Sequence, residues 1–182
     1  SSSWLKWEAR PWIDALGDVG GIMIFSEDVS ERRRRNANLA FLAEITETLI
    51  KDRTVDEIVQ FFGELCRRFF GATACTYVEI DEASATADIF DEWSLDDRFS
   101  LVGHYDLRDF VTDEFRQIMT KGQAVIVSDV ATDYRIVDRS RFEALGIGSF
   151  VNIPLHRLGQ WRYAFGIYRS TANYWRDDEI AL

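Results

Sequence analysis

Histidine and cysteine are scarce in this chain, which carries only Cys66, Cys75, His104 and His156 among its 182 residues. None of them stands at a paired spacing such as C-x-x-C or H-x-x-x-H, so no metal site is expected. Cys66 falls on an apolar helical stripe and Cys75 in a strand-like run, and both read as core, where free cysteine is most at home. The same shortage leaves no nucleophile with a base beside it and no acid/base pair, so this chain is not expected to be an enzyme. No window approaches the ~20 apolar residues that a membrane span needs, and the start lacks a signal peptide's apolar centre and cleavage site. A cytoplasmic location is therefore expected. Positive charge is also in the minority: 21 Lys and Arg against 31 Asp and Glu give a net charge of -10. The basic run Arg32 to Arg35 is too short to reverse that balance, so nucleic acid is not an expected partner. There is no internal repeat and no low-complexity segment.

What is present, at 47% hydrophobic, suffices for one good core and a fragment of a second. Two aromatic-rich runs, 4 to 12 with Trp4, Trp7 and Trp12, and 20 to 28 with Ile22 to Phe25, flank Gly- and Asp-rich turn material and predict a β-hairpin. A lone hairpin is barely stable in water, and this one wants a larger surface to pack on. Ser30 is the expected N-cap of a helix running from about Glu31 to Lys51. Along it Leu39, Leu42, Ile45 or Thr46, and Leu49 recur at steps of three and four. That stripe fits a dimer contact between two copies or an amphipathic helix lying on its own domain, and both readings stay open.

"TVDE" at Thr54 to Glu57 is a capping box and predicts a second helix, with Ile58, Phe61, Phe62, Leu65, Phe69 and Phe70 on its apolar face and Gly71 as its stop. From Ala72 the period becomes two, with Ala74, Thr76, Val78 and Ile80 on one side of a strand and Cys75, Tyr77 and Glu79 on the other. Further strands are expected at 86 to 93, 99 to 105, 124 to 129, 149 to 156 and 161 to 169. Short helices are expected at 112 to 121 and 139 to 145, and "HRLGQW" as a hairpin turn. The order predicts an α+β domain: a six-stranded antiparallel sheet with helices on both faces, preceded by the hairpin and a connecting helix.

The stretch from "GQAVIVSDVATDYRIVD" through "EALGIGSFVNIPLHRLGQW" to "NYWRDDEIAL" resembles the second half of a GAF domain. Upstream, "LAFLAEITETLIKDRTVDEIVQFFGELCRRFFGATACTYVEID" is similar to that family's two N-terminal helices and first strand. The resemblance covers residues 37 to 182, with the last helix cut short. "WLKWEARPWIDALGDVGGIMIFSEDVSERRRR" resembles the last two strands of a PAS domain and the start of the helix that follows, which makes residues 1 to 30 the tail of a truncated PAS domain and 31 to 52 a connecting helix. A PAS tail, helix and GAF domain in series resemble the sensory half of bacterial signalling proteins of the sensor histidine kinase, two-component type. The kinase's own glycine box and phosphoacceptor motif are not in these residues.

The resemblance implies a small-molecule site between the sheet and the segments about "FSLVGHYDLRDF" and "DVATDYRIVD". The candidate ligand-binding residues there are His104, Tyr105 and Asp106 at a strand end, Tyr134 and Asn152 as hydrogen-bonding groups, and Phe99, Phe110 and Phe115 as lining; the plainer alternative is a surface polar cluster above ordinary core. The cofactor is unknown. The NKFDE signature of cyclic-nucleotide-binding members is missing, and neither cysteine is followed by histidine as in bilin-attaching members, so both ligand types are disfavoured. The cysteine set of the family's methionine sulfoxide reductases is missing too. The expected function is a ligand-gated sensory module acting as a homodimer through Leu39, Leu42, Ile45 and Leu49, or a dimerisation and relay module with no ligand.

Overall fold

The computed structural model describes residues 3–49, 54–96 and 100–180. The chain divides into two units, Ser1–Glu44 and Ile45–Leu182.

In the first unit β1 (Leu5–Ile13) and β2 (Val19–Asp28) form a two-stranded antiparallel sheet. Its turn is tied by Asp14, whose Oδ1 accepts from Leu16 N–H at 2.8 Å and Asp18 N–H at 3.0 Å, while Gly17 takes the left-handed conformation that favours glycine. Helix α1 (Ser30–Leu49) follows. Ser30 does not cap it as expected, because its hydroxyl accepts from Trp4 N–H at 2.7 Å and so fastens the hairpin to the helix. The capping oxygen is Asp28 Oδ1, which takes the Ser30 N–H at 2.8 Å. The hydrogen bonds from Ser30 hold the Asp28 carboxyl below its usual range. Arg33 adds a cation over the Trp4 ring, 4.4 Å from its centroid.

The second unit opens with α2 (Val55–Phe70), started by the expected box: Glu57 N–H donates to Thr54 Oγ1 and Thr54 N–H to Glu57 Oε2. Gly71, at φ 64°, ends it. The sheet behind it has the order β5-β4-β3-β8-β7-β6 and is antiparallel throughout. Its strands are β3 (Ala74–Asp81), β4 (Thr86–Ser94), β5 (Gly103–Asp106), β6 (Val125–Val127), β7 (Ser149–Arg157) and β8 (Gln160–Arg169). Strand β5 is shorter than the expected 99 to 105, because side chains tie the residues before it: Leu101 N–H donates to Glu92 Oε2 and Val102 N–H to Ser100 Oγ, instead of joining the ladder.

Helix α2 covers one face of this sheet. Its buried residues are Val59, Gly63, Leu65, Cys66 and Phe70; of the expected apolar face Leu65 and Phe70 are buried, whereas Ile58, Phe61, Phe62 and Phe69 are half-buried. A Cβ at Gly63 would lie 2.1 Å from the Trp93 ring, so glycine is what allows the helix to come this close. The opposite face is covered by α3 (Asp113–Thr120), α4 (Arg139–Ala144) and the connections around them, and encloses the main apolar core. A four-residue helix, α5 (Asp177–Ile180), ends the described chain.

Candidate functional site

Within that core the second face of the sheet does not close fully against α3 and α4. A cavity of about 100 Å³ remains. Its floor is the alternating set of the central strands, Val78 and Ile80 from β3, Phe150 and Asn152 from β7, and Ala164 and Tyr168 from β8. Its roof is aromatic. Phe142 of α4 stacks on Phe150 at 5.4 Å and 3°, Phe110 meets Phe142 edge-on at 5.5 Å, and Tyr105 meets Phe110 edge-on at 5.4 Å.

Four polar side chains reach into this apolar wall: Tyr105, Asn152, Trp161 and Tyr168. Two of them are satisfied. Tyr105 donates its hydroxyl to the Leu101 carbonyl at 2.8 Å, and the Tyr168 hydroxyl pairs with Thr76 Oγ1 at 3.3 Å. The other two are not. Among the described residues, the buried side-chain N and O atoms without a partner are Asn152 Oδ1, Trp161 Nε1 and, away from the cavity, Trp175 Nε1. An unsatisfied buried polar group costs about 1–3 kcal/mol, so two in one wall mark a place where a missing partner would stabilise the protein.

Trp161 escaped the sequence-level reading for a structural reason. Alternation along β8 from Ala164 and Tyr168 puts residue 162, not 161, on the cavity side. In the β7–β8 ladder Leu155 pairs with Tyr163 and His156 with Trp161, so Arg162 is an extra, bulged residue and Trp161 turns inward. The turn at the hairpin's tip, Leu158 and Gly159, has positive φ at both positions, the two-residue form that matches strand twist.

Burial pushes the Tyr168 phenol up to about 12, with the Thr76 hydrogen bond opposing. Because the folded value lies above the unfolded ~10, its stabilisation is complete below pH ~10 and is lost as the pH rises towards ~12, a drop of roughly 2–3 kcal/mol. Urea midpoints at pH 9 and 11.5 should fall steeply for the native chain and less steeply for Tyr168→Phe. Equal slopes for the two would show that Tyr168 ionises freely.

Of the candidate ligand residues, Tyr105, Phe110, Phe115 and Asn152 come together in the cavity wall. Three others do not reach it. His104 is exposed and its Nδ1 pairs with Asp88 across the β4–β5 ladder at 2.7 Å. Asp106 turns to Arg108 at 2.5 Å, and the hydrogen bonds from Arg108 hold its carboxyl down to about 2. Tyr134 is 69% exposed and donates to Glu114 Oε1. Phe99 lies outside the described residues. Both cysteines sit on the α2 side of the sheet rather than in the cavity wall; the hydrogen bond with Cys66 and then burial push the Cys75 thiol well up.

The roof is anchored by a residue not foreseen, Arg135. Its guanidinium donates to both Asp133 oxygens and, at 2.7 Å, to the Ile126 carbonyl of β6, while its own carbonyl accepts from Thr112, the N-cap of α3. Burial drives the Asp133 carboxyl up, but the Arg135 hydrogen bonds and charge outweigh it and hold the carboxyl below its usual range. Asp129 closes the preceding turn by accepting from Ala131 N–H and Thr132 Oγ1. Among the described residues no group of three or more His, Cys, Asp or Glu is placed to hold a metal ion, and no helix is long and apolar enough to cross a membrane.

A sheet of this order, roofed by two short helices over an apolar cavity, is matched at the sequence level by the family model described as GAF domain, over residues 52–182. The chain belongs to the GAF domain family. GAF domains are small-molecule-binding sensory and regulatory modules of signalling proteins. A search of curated proteins finds no match to this GAF chain. Among solved structures it resembles the phycocyanobilin-bound GAF domain from a cyanobacterial phytochrome, with TM-score 0.62 and 19% identity over 79% of this chain and 86% of that one. It also resembles the phycoerythrobilin-bound GAF domain from a cyanobacterial phytochrome, with TM-score 0.63 and 16% identity over 81% and 89%. A third is the free methionine-R-sulfoxide reductase from Neisseria meningitidis in complex with its substrate, with TM-score 0.59 and 13% identity over 79% and 80%. At these identities the likeness is one of fold. It nevertheless corrects the expectation about cofactors. Two similar GAF structures hold bilins, so the missing Cys-His pair does not set a bilin aside.

Proposed function

We propose that this chain is the sensory module of a larger signalling protein, of the sensor histidine kinase type, in which the GAF cavity takes up a small molecule without chemically changing it. The observation that carries this reading is the pair of buried, unpartnered polar atoms, Asn152 Oδ1 and Trp161 Nε1, in an otherwise apolar cavity. A merely structural core of this family would have no use for them.

The relay runs through α1, as the PAS-like hairpin and connecting helix suggest. Leu39 is 60% and Leu42 41% exposed, and Ile45 is half-buried; the Leu49 side chain lies outside the described residues. Two copies meeting along this stripe form a parallel homodimer, the symmetry most homo-oligomers adopt. Ligand uptake biases that arrangement by as much as its affinity differs between the two states.

The test is to fill the cavity. Ala164→Phe places a ring in the floor. Unfolding the native chain in urea, dialysing and refolding it should strip the bound molecule and lower its Tm, by about 5–10 °C for a ligand at about 100 times its Kd. The Ala164→Phe chain should show the same Tm before and after. An unchanged Tm in the native chain would contradict the reading.

A further inference from the structure

The cavity wall constrains what it can hold more narrowly than its size does. Among the described residues no Asp, Glu, Lys, Arg or His lines it. With Tyr105 and Tyr168 paired to protein partners, the buried side-chain atoms of the wall that lack a partner, among the described residues, are one donor, the Trp161 indole N–H, and one acceptor, Asn152 Oδ1. Trp161 is only 3% exposed, so its N–H is shut off from bulk water as well.

We infer that the part of the ligand enclosed by the cavity is uncharged and carries a carbonyl-type acceptor for Trp161 together with an N–H or O–H donor for Asn152. This deepens the sensory reading above and rests on it. Charge is excluded by cost. An ion moved into this wall would meet no counter-charge among the described residues, and burial of an unpaired ion is far more expensive than burial of a neutral amide that finds both partners. Size points the same way. A dry cavity of ~150 Å³ takes benzene, so about 100 Å³ suits a body of about one ring.

The two polar groups also differ in position. In the β7–β8 ladder Asn152 pairs with Gly166, whereas Trp161 pairs with His156, four positions further along β7 and ~13 Å by strand rise. Their backbones are therefore well separated along the sheet, and the ligand sits between the two side chains. Trp161 and Leu107 are shared walls: they also line a polar surface groove of about 390 Å³, bounded by the Glu82–Ala85 turn, Arg108 and Arg116. The indole is thus the partition between the cavity and the surface groove, and its N–H is the group that gains a partner when the cavity fills.

Three ligand probes of matched shape separate the alternatives: benzamide, which is neutral with a donor and an acceptor; benzoate, which is charged; and toluene, which is apolar. Their binding to the urea-stripped and refolded chain is followed by titration in ¹H–¹⁵N spectra of the tryptophan indoles, with the Trp161 signal assigned by its loss in Trp161→Phe. Benzamide should move that signal and bind about tenfold tighter than benzoate or toluene. Trp161→Phe and Asn152→Leu should each weaken benzamide about five- to tenfold, the effect of one hydrogen bond, and leave toluene unchanged, which also shows that the cavity is intact. Benzoate or toluene binding as tightly as benzamide, or benzamide unmoved by both substitutions, would overturn the inference while leaving a binding cavity. If no probe binds, the inference fails; if the purified native chain also carries no small molecule, the sensory reading fails with it.

Discussion

Phe150→Ala should destabilise the GAF unit by about 3–5 kcal/mol. Phe150 is 1% exposed and stands at the centre of the aromatic roof and floor, stacked on Phe142 and tilted against Phe115 and Tyr168 at 6.1 Å each. Removing it deletes most of a ring's burial and merges its volume with the cavity already present, and a wall made of three other rings collapses poorly. Against a typical total of 5–15 kcal/mol that is a large share. Urea unfolding followed by far-UV circular dichroism reads the change, with Phe90→Ala as reference. Phe90 lies on β4 of the same sheet at 65% exposure and should cost under about 1 kcal/mol. Equal losses at the two positions would mean that the cavity face is not the core.

Arg135→Met should cost about 2–4 kcal/mol, less than a fully buried pair because the Arg135 and Asp133 side chains retain 17% and 13% exposure. The loss has two parts: the Asp133 carboxylate is left without its cation, and the Ile126 carbonyl without its donor. The sign of the pH dependence follows from the depressed Asp133 value. A carboxyl held below its unfolded ~3.9 contributes stability above that pH and loses it as the pH falls through the lower, folded value. Stability should therefore be less acid-sensitive in Arg135→Met than in the native chain. The double substitution Asp133→Ala with Arg135→Met should cost less than the two single changes added together. Additive losses, or a single-variant loss under 1 kcal/mol, would show that the pair does not hold the roof.

These residues also show which features the sequence made legible. Features with a local physical signature were readable: the Thr54–Glu57 box, the Gly71 stop and the alternation of Ala74, Val78 and Ile80 each depend on neighbours in sequence. From their order the six-stranded antiparallel sheet followed. Features set by tertiary partners were not. Ser30 has the composition of a cap but is claimed by Trp4, and Gly63 has the look of a weak point in a helix but is a seat for Trp93. At the site, the GAF resemblance pointed to the segments concerned, and of the residues named there Phe110, Phe115, Tyr105 and Asn152 stand in the cavity wall. His104, Asp106 and Tyr134, named with them as polar groups of the same region, are held outside the wall by Asp88, Arg108 and Glu114. Trp161 was hidden by a one-residue bulge that inverts its side, a shift that no periodicity in the sequence records. The cofactor expectation failed by the same logic in reverse, since it leaned on short motifs whereas two bilin-bound domains share this fold without close sequence likeness.

The central claim is that the cavity between the sheet and α3 and α4 holds a small molecule in the working protein. Nondenaturing mass spectrometry of the freshly purified chain tests it most directly, reading bound mass and chain stoichiometry in one spectrum. The account predicts a dimer carrying one extra small mass per chain, released on denaturation, and absent from Ala164→Phe prepared in the same way. A bare chain mass in the native protein, or an extra mass that survives in Ala164→Phe, would contradict it.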